Sequence, residues 1–185
     1  MKRFLPVLLA CSVAVSAFAQ TETFTLKSAD IAPGATIKLE QVASGNGCTG
    51  ANVSPALEWQ GAPAGTKSFA LILHDPDAPT GVGGFTHWIV YNIPASSSSI
   101  AKGAGTAGNA ALPAGTMQAN NSGGAPAYGG PCPPVGDKPH QYVFTLYALK
   151  TEKLELPANA TQAIAGFTIN ANAIGKATFS GYYGR

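Results

Sequence analysis

The chain has 185 residues, 45% hydrophobic and only 11% charged, and its 22 Gly and 14 Pro point to a loop-rich globular domain. Eleven Lys and Arg against nine Asp and Glu give a formal charge of +2. No basic run or stripe exists, which argues against nucleic acid as a main partner.

Lys2 and Arg3 open the sequence, a mostly apolar stretch runs from Phe4 to Ala17, and Ala17-Phe18-Ala19 is a small-x-small cleavage site. This predicts a signal peptide over 1–19, export to the periplasm or beyond, and one domain over 20–185 with no transmembrane segment after cleavage. Leu8-Leu9-Ala10-Cys11 loosely resembles a lipoprotein box, and processing there puts a lipid on Cys11 instead; its apolar run is short for that. Removing Lys2 and Arg3 lowers eleven basic residues to nine, equal to the nine acidic ones, so the mature protein is near neutral. Cys48 and Cys132 are then the remaining cysteines, and an oxidising compartment favours a disulfide over two buried thiols. Such a bridge restrains the unfolded chain by about 4–5 kcal/mol in the entropic account.

Along the chain, Phe24–Ile31 and Thr36–Val42 read as strands separated by the Pro33-Gly34 turn, and Ser44–Ser54 as a polar loop holding Cys48. Leu57–Trp59 is a short extended piece. Ser68–Leu73 is nearly all apolar, as a central strand covered on both faces should be. His87–Ile93 and Gln141–Leu149 are rich in β-branched and aromatic residues. The long Pro94–Pro139 connection reads as a functional or disordered loop. Ala158–Ala177 has helical composition, broken by Gly166 into two short helices, and Thr178–Tyr183 reads as a last strand. The fold class is mainly β, a Greek-key sandwich on a large antiparallel sheet with small peripheral helices.

The histidines stand at the ends of the strong strands. His74 and Asp75 end the first, His87 opens the second and His140 opens the third. Antiparallel pairing of the first two brings Asp75, Asp77 and His87 to one sheet edge, and His140 joins them if the third strand runs like the second. The strand period of two puts His140, Tyr142 and Phe144 on one face. Taken singly, Asp75-Pro76-Asp77 is a common turn initiator, His87 a core histidine, and Pro131, Pro133 and Pro134 a stiff loop.

The segments NVSPALEW (52–59), GTKSFALILHDPDAP (65–79), HWIVYNIP (87–94), YGGPCPPVGDKPHQYVFTLYAL (128–149) and GYYG (181–184) together resemble the phosphatidylethanolamine-binding protein family, also called Raf kinase inhibitor proteins, and most of all its bacterial branch. The resemblance covers Phe24 to Arg185 in order and spacing. It implies an anion pocket built from Asp75, Asp77, Pro79, His87, Tyr128, Pro133, His140 and Tyr142, taking phosphate, a phosphorylated group or a phosphatidylethanolamine head group. A protonated His and a Tyr hydroxyl suit donation to phosphate oxygens. The carboxylates suit orienting the imidazoles, raising their pKa, or meeting an ammonium. Gln141 stands where eukaryotic members carry Arg, which removes a positive charge expected near the mouth. With the short, Gly-rich Thr80–Thr86 connection, this argues against kinase inhibition and high phospholipid affinity.

The leading expectation is thus a binding module for a small anionic ligand, with a protein partner as a further role and no cofactor. The alternatives are a hydrolase using His87 or His140, a serine peptidase inhibitor, and, more weakly, a metal site from Asp75, Asp77, His87 and His140. No GxSxG elbow, HExxH or P-loop is present.

Overall fold

The computed structural model describes residues 23–108 and 110–185. The leader read over 1–19, and with it Cys11, lies outside the described residues. Five strands build the main sheet: β5 (Ser68–Asp75), β6 (Phe85–Pro94), β8 (Met117–Ala119), β9 (His140–Leu149) and β10 (Ala173–Tyr183). Their order is β10-β9-β5-β6-β8, with every neighbouring pair antiparallel. A smaller sheet has the order β1-β4-β7, from β1 (Thr25–Lys27), β4 (Leu57–Gln60) and β7 (Ser99–Ile100). The hairpin of β2 (Ser44–Gly45) and β3 (Cys48–Thr49) stands apart.

The apolar run of β5 puts side chains on both faces of the main sheet. Leu71 and Leu73 meet Trp88, Val90, Phe144 and Leu146, and this face packs on the small sheet through Leu26, Leu57, Trp59 and Ile100. Ala70 lies on the opposite face with Ile89 and Leu149, where the helix α1 (Gln162–Asn172) covers it through Ala165 and Ile169. Burying several such side chains at about 1.5–3 kcal/mol each outweighs any local strand preference and fixes the register. The mainly β sandwich read from the sequence is therefore the observed fold.

Several expected boundaries move. Only Thr25–Lys27 of the first predicted strand pairs in a sheet. Thr36–Val42 is no strand: Thr36 makes one bridge to Tyr182, and then Gln41 N donates to Lys38 O and Val42 N to Leu39 O, closing turns. The long connection contains β7 and β8. The expected two short helices are one, because Gly166 costs only about 1 kcal/mol relative to Ala while burial of Ala165 and Ile169 spans it. Thr161 caps this helix, its side chain accepting from Ile164 N at 3.3 Å.

Cys48 and Cys132 are joined by a disulfide, with Cα atoms 6.0 Å apart. The bridge ties the β2–β3 hairpin to the loop that precedes β9.

Candidate functional site

β6 and β9 flank β5 and both run antiparallel to it, so the N-terminal ends of β6 and β9 meet the C-terminal end of β5. Asp75, His87 and His140 therefore gather at one sheet edge. They line a cavity of about 420 Å³ with Tyr142, Tyr128 and Pro133. Asp77 and Pro79 do not line it.

A bulge aims His87 into this cavity. Leu73 pairs with Trp88 but His74 pairs with Thr86, so β6 spends one extra residue there, and that residue is His87. A bulge breaks the alternation of side chains. The His87 ring thus reaches the Tyr142 ring, 5.2 Å away edge-on, instead of joining Ile89 on the helix-covered face. Phe85 packs against its other side at 4.8 Å.

His87 Nδ1 donates to the Gly129 carbonyl at 2.8 Å. A carbonyl can only accept, so the proton sits on Nδ1, and in the neutral ring Nε2 is an acceptor. Burial pushes the pKa down to about 4, against the opposing pull of the Gly129 carbonyl and the Asp75 charge. The ring is therefore neutral at neutral pH.

His140 is the opposite case. Its Nδ1 bonds Asp75 Oδ2 at 2.8 Å and its Nε2 bonds Asp137 Oδ2 at 3.3 Å. Burial works against its charge, but the hydrogen bonds and charges of Asp75 and then Asp137 prevail and hold its pKa above the usual histidine value. Both ring nitrogens are committed to carboxylates. The other oxygen of Asp75 accepts from Asp77 N at 2.9 Å and Ala78 N at 3.1 Å, which fixes the turn after β5.

Asp77 works outside the cavity. Its Oδ2 accepts from Gln141 N at 2.8 Å and its Oδ1 pairs with Lys138 at 3.1 Å, and these contacts lower its pKa. It latches the turn after β5 to the start of β9. Gln141 itself, expected near the mouth, turns to the other face, where its amide donates to Ser180 Oγ at 3.0 Å. The charge missing at this position in the sequence is thus not a charge missing from the cavity lining of this chain.

The tyrosines differ as well. Tyr128 donates its hydroxyl to Gln41 O at 2.8 Å and serves as wall. Tyr142 is fully buried, and burial first, then the Asp75 charge, raise its pKa. Its hydroxyl interacts with the Asp75 carboxylate, which adds to the rise in its pKa, and no hydrogen bond of good geometry completes it among the described residues.

The sequence reading missed three contributors. Asn52 accepts from Gly130 N at 2.7 Å, and Asn121 accepts from Gly123 N and Ala125 N while its amide donates to Ala127 O at 3.0 Å. Asn52 stands at φ 54°, a left-handed conformation that asparagine tolerates. Gly130 passes so close to the 41–43 turns that a Cβ would lie 2.3 Å from Gln41 O. Asn-rich loops give only a general turn signal, and these long-range contacts need the fold to appear.

Among the described residues, neither cavity imidazole hydrogen-bonds a hydroxyl or thiol, and no group of three or more His, Cys, Asp and Glu is arranged to hold a metal ion.

The family model for phosphatidylethanolamine-binding protein matches residues 27–184. The chain belongs to the phosphatidylethanolamine-binding protein family. Within it, the chain is 46% identical to YbcL of Escherichia coli (strain K12) over 89% of its own length and 90% of that protein. YbhB of the same organism is 37% identical, with 85% and 98% covered. A relative named as a lipoprotein, LppC of Mycobacterium tuberculosis (strain ATCC 25618 / H37Rv), is 40% identical, with 88% and 73% covered. The crystal structure of E. coli YbcL superposes with a TM-score of 0.85 at 45% identity, covering 88% of this chain and 98% of that one. The family resemblance and the bacterial branch read from the motifs are thereby established, and so is the fold.

Proposed function

We propose that this member of the family is an exported binding protein whose cavity holds a phosphate-bearing anion or a phosphatidylethanolamine-type head group. One observation carries the reading: six of the eight positions that the resemblance assigns to a ligand surround one cavity. At about 420 Å³ the cavity is within the range of small-molecule sites. Tyr142 donates to a ligand oxygen, the Asp75–His140 pair stiffens the floor, and Pro133 closes one wall.

Export rests on the leader sequence, on the disulfide, which an oxidising compartment sustains, and on the likeness to LppC. Among the described residues no helix is long and apolar enough to cross a membrane.

A crystal grown in phosphate tests the site. Tetrahedral density within hydrogen-bond reach of Tyr142 Oη supports the reading, and an unfilled cavity at high phosphate counts against it.

A further inference from the structure

The helix does not cover the whole face of the main sheet on which it lies. α1 sits over β6 and β9, the strands on either side of β5, and the outer strand β8 is left to the segment that joins β9 to α1. A second cavity of about 350 Å³ opens there. It lies on the helix-covered face, away from the histidine cavity, and the two share no described lining residue.

The floor of this cavity is sheet. Tyr91 on β6 pairs with Met117 on β8, and the strand period of two puts Ala119 on the same face as Met117. The walls are anchored by contacts of the chain itself. Asn92 stands at φ 57° and grips Leu154 twice: Nδ2 donates to Leu154 O at 3.2 Å, and Leu154 N donates to Oδ1 at 2.7 Å. This grip sets Leu156 and Pro157 at the cavity, where Ala160 N donates to Pro157 O at 2.9 Å. On the other side, Asn121 N donates to Ala125 O and Gln162 Nε2 to Asn121 O, each at 2.8 Å, which fixes the wall at Asn120 and Pro126. The shape is therefore formed before any ligand arrives, as small-molecule sites usually are.

The chemistry of the lining is neutral. No Asp, Glu, Lys, Arg or His is among the described residues that line it. The charges acting on the Tyr91 hydroxyl, Glu155 and Lys153, pair with each other at 2.8 Å. Burial first, and then Glu155, hold the Tyr91 pKa above the usual tyrosine value, so the phenol keeps its proton. Three polar side chains line the cavity: Tyr91, Gln118 and Asn120. Gln118 is committed, accepting from Trp88 Nε1 and donating to Thr106 O at 2.9 Å. Tyr91 and Asn120 make no side-chain hydrogen bond among the described residues, and the Tyr91 oxygen is not sealed from solvent. Met117 is 43% exposed, so its apolar surface is left for a ligand to bury.

We infer that this cavity is a second ligand site, for a small neutral molecule with an apolar body and one carboxamide group. The body packs on Met117, Ala119, Leu156 and Pro157. The ligand carbonyl accepts from Tyr91 Oη, and its amide N–H donates to the side-chain oxygen of Asn120. A charged ligand gives up its hydration here and meets no counter-charge, so it is disfavoured.

Met117 supplies the test, because the only other methionine is Met1. In protein carrying methyl-labelled methionine, the NMR signal lost in Met117→Leu identifies the reporter. Benzamide, benzoate and benzylamine offer one ring with a neutral, an anionic and a cationic group. Benzamide should move the Met117 signal saturably, with the charged pair bound about tenfold or more weakly. Excess inorganic phosphate should leave benzamide in place, and Tyr91→Phe should weaken it about fivefold. No saturable shift up to the solubility limit of benzamide overturns the site. Equal binding of all three probes overturns its neutrality, and displacement by phosphate overturns its independence from the histidine cavity. Unchanged binding by Tyr91→Phe overturns the polar contact. Should that variant fail to fold, the three probes on the wild-type protein decide alone.

Discussion

His87 and Gly129 hold each other by two hydrogen bonds: the ring Nδ1 donates to the Gly129 carbonyl at 2.8 Å, and Gly129 N donates to the His87 carbonyl at 2.9 Å. This clamp joins a bulged strand end to the loop before β9, 42 residues away in sequence. It also fixes which ring nitrogen carries the proton, and so which one faces the cavity.

Acid should weaken the fold through His87. Its pKa is about 4 in the folded protein against 6.5 for an ordinary histidine, so the unfolded chain binds more protons between those values. Stability is full above about pH 6.5 and declines as pH falls towards 4, by roughly 3 kcal/mol in the limit. His140 has a raised pKa, so its contribution is complete below 6.5 and is lost only as pH rises through the folded value; it does not offset the acid loss. Urea unfolding at a series of pH values from about 7 down to about 4 should show the decline, and His87→Gln should flatten it.

Asp75→Asn should destabilise the protein strongly. The amide keeps an oxygen for Asp77 N and Ala78 N but sets N–H against the His140 ring, leaving a buried imidazolium short of its partner. Breaking a buried pair from one side costs about 3–5 kcal/mol. A loss below about 1 kcal/mol in chemical denaturation would show that the pair bears little of the fold's stability.

Removing the disulfide as Cys48→Ser with Cys132→Ser should cost about 2–5 kcal/mol. Cys132 lines the cavity and the bridge holds the hairpin that carries Ser44 and Asn46 on the same rim. The double variant should therefore also bind phosphate more weakly at a temperature where it is still folded, as titration of the two proteins side by side would show.

Two glycines should respond with opposite signs. At Gly130 an added Cβ meets Gln41 O at 2.3 Å and Ala43 N at 2.5 Å, both backbone atoms that cannot move aside cheaply, so Gly130→Ala should cost about 1–3 kcal/mol. At Gly166 the added Cβ meets open space inside α1, so Gly166→Ala should gain about 0.5–1 kcal/mol. Melting temperatures of the two variants check both signs.

Much of this arrangement was legible before the structure. The β-rich segments 68–73, 87–93 and 141–149 lie within β5, β6 and β9, because long apolar and β-branched runs express burial on a sheet directly. That is why Asp75, His87 and His140 could be gathered from strand ends alone. Thr36–Val42 misled because its pairing stops at the single bridge from Thr36 to Tyr182 and turns follow, and Gly166 misled because packing outweighs propensity. The roles within the site were less legible still. Asp77 looks like a cavity carboxylate beside Asp75, yet its oxygens serve Gln141 N and Lys138. The bulge at His87, the commitment of both His140 nitrogens and the burial of the Tyr142 hydroxyl beside Asp75 depend on register and burial, which no local pattern encodes.

The central claim is that the cavity binds an anion through Tyr142, and calorimetric titration of phosphate into the wild-type protein and Tyr142→Phe tests it most directly. Melting curves of the two proteins, measured side by side, separate an effect on binding from one on folding. The expected result is saturable binding near one equivalent (~1:1) by the wild type, weakened about tenfold or more in the variant, which corresponds to about 1.4 kcal/mol. Equal binding by both proteins, or none by the wild type, would contradict it.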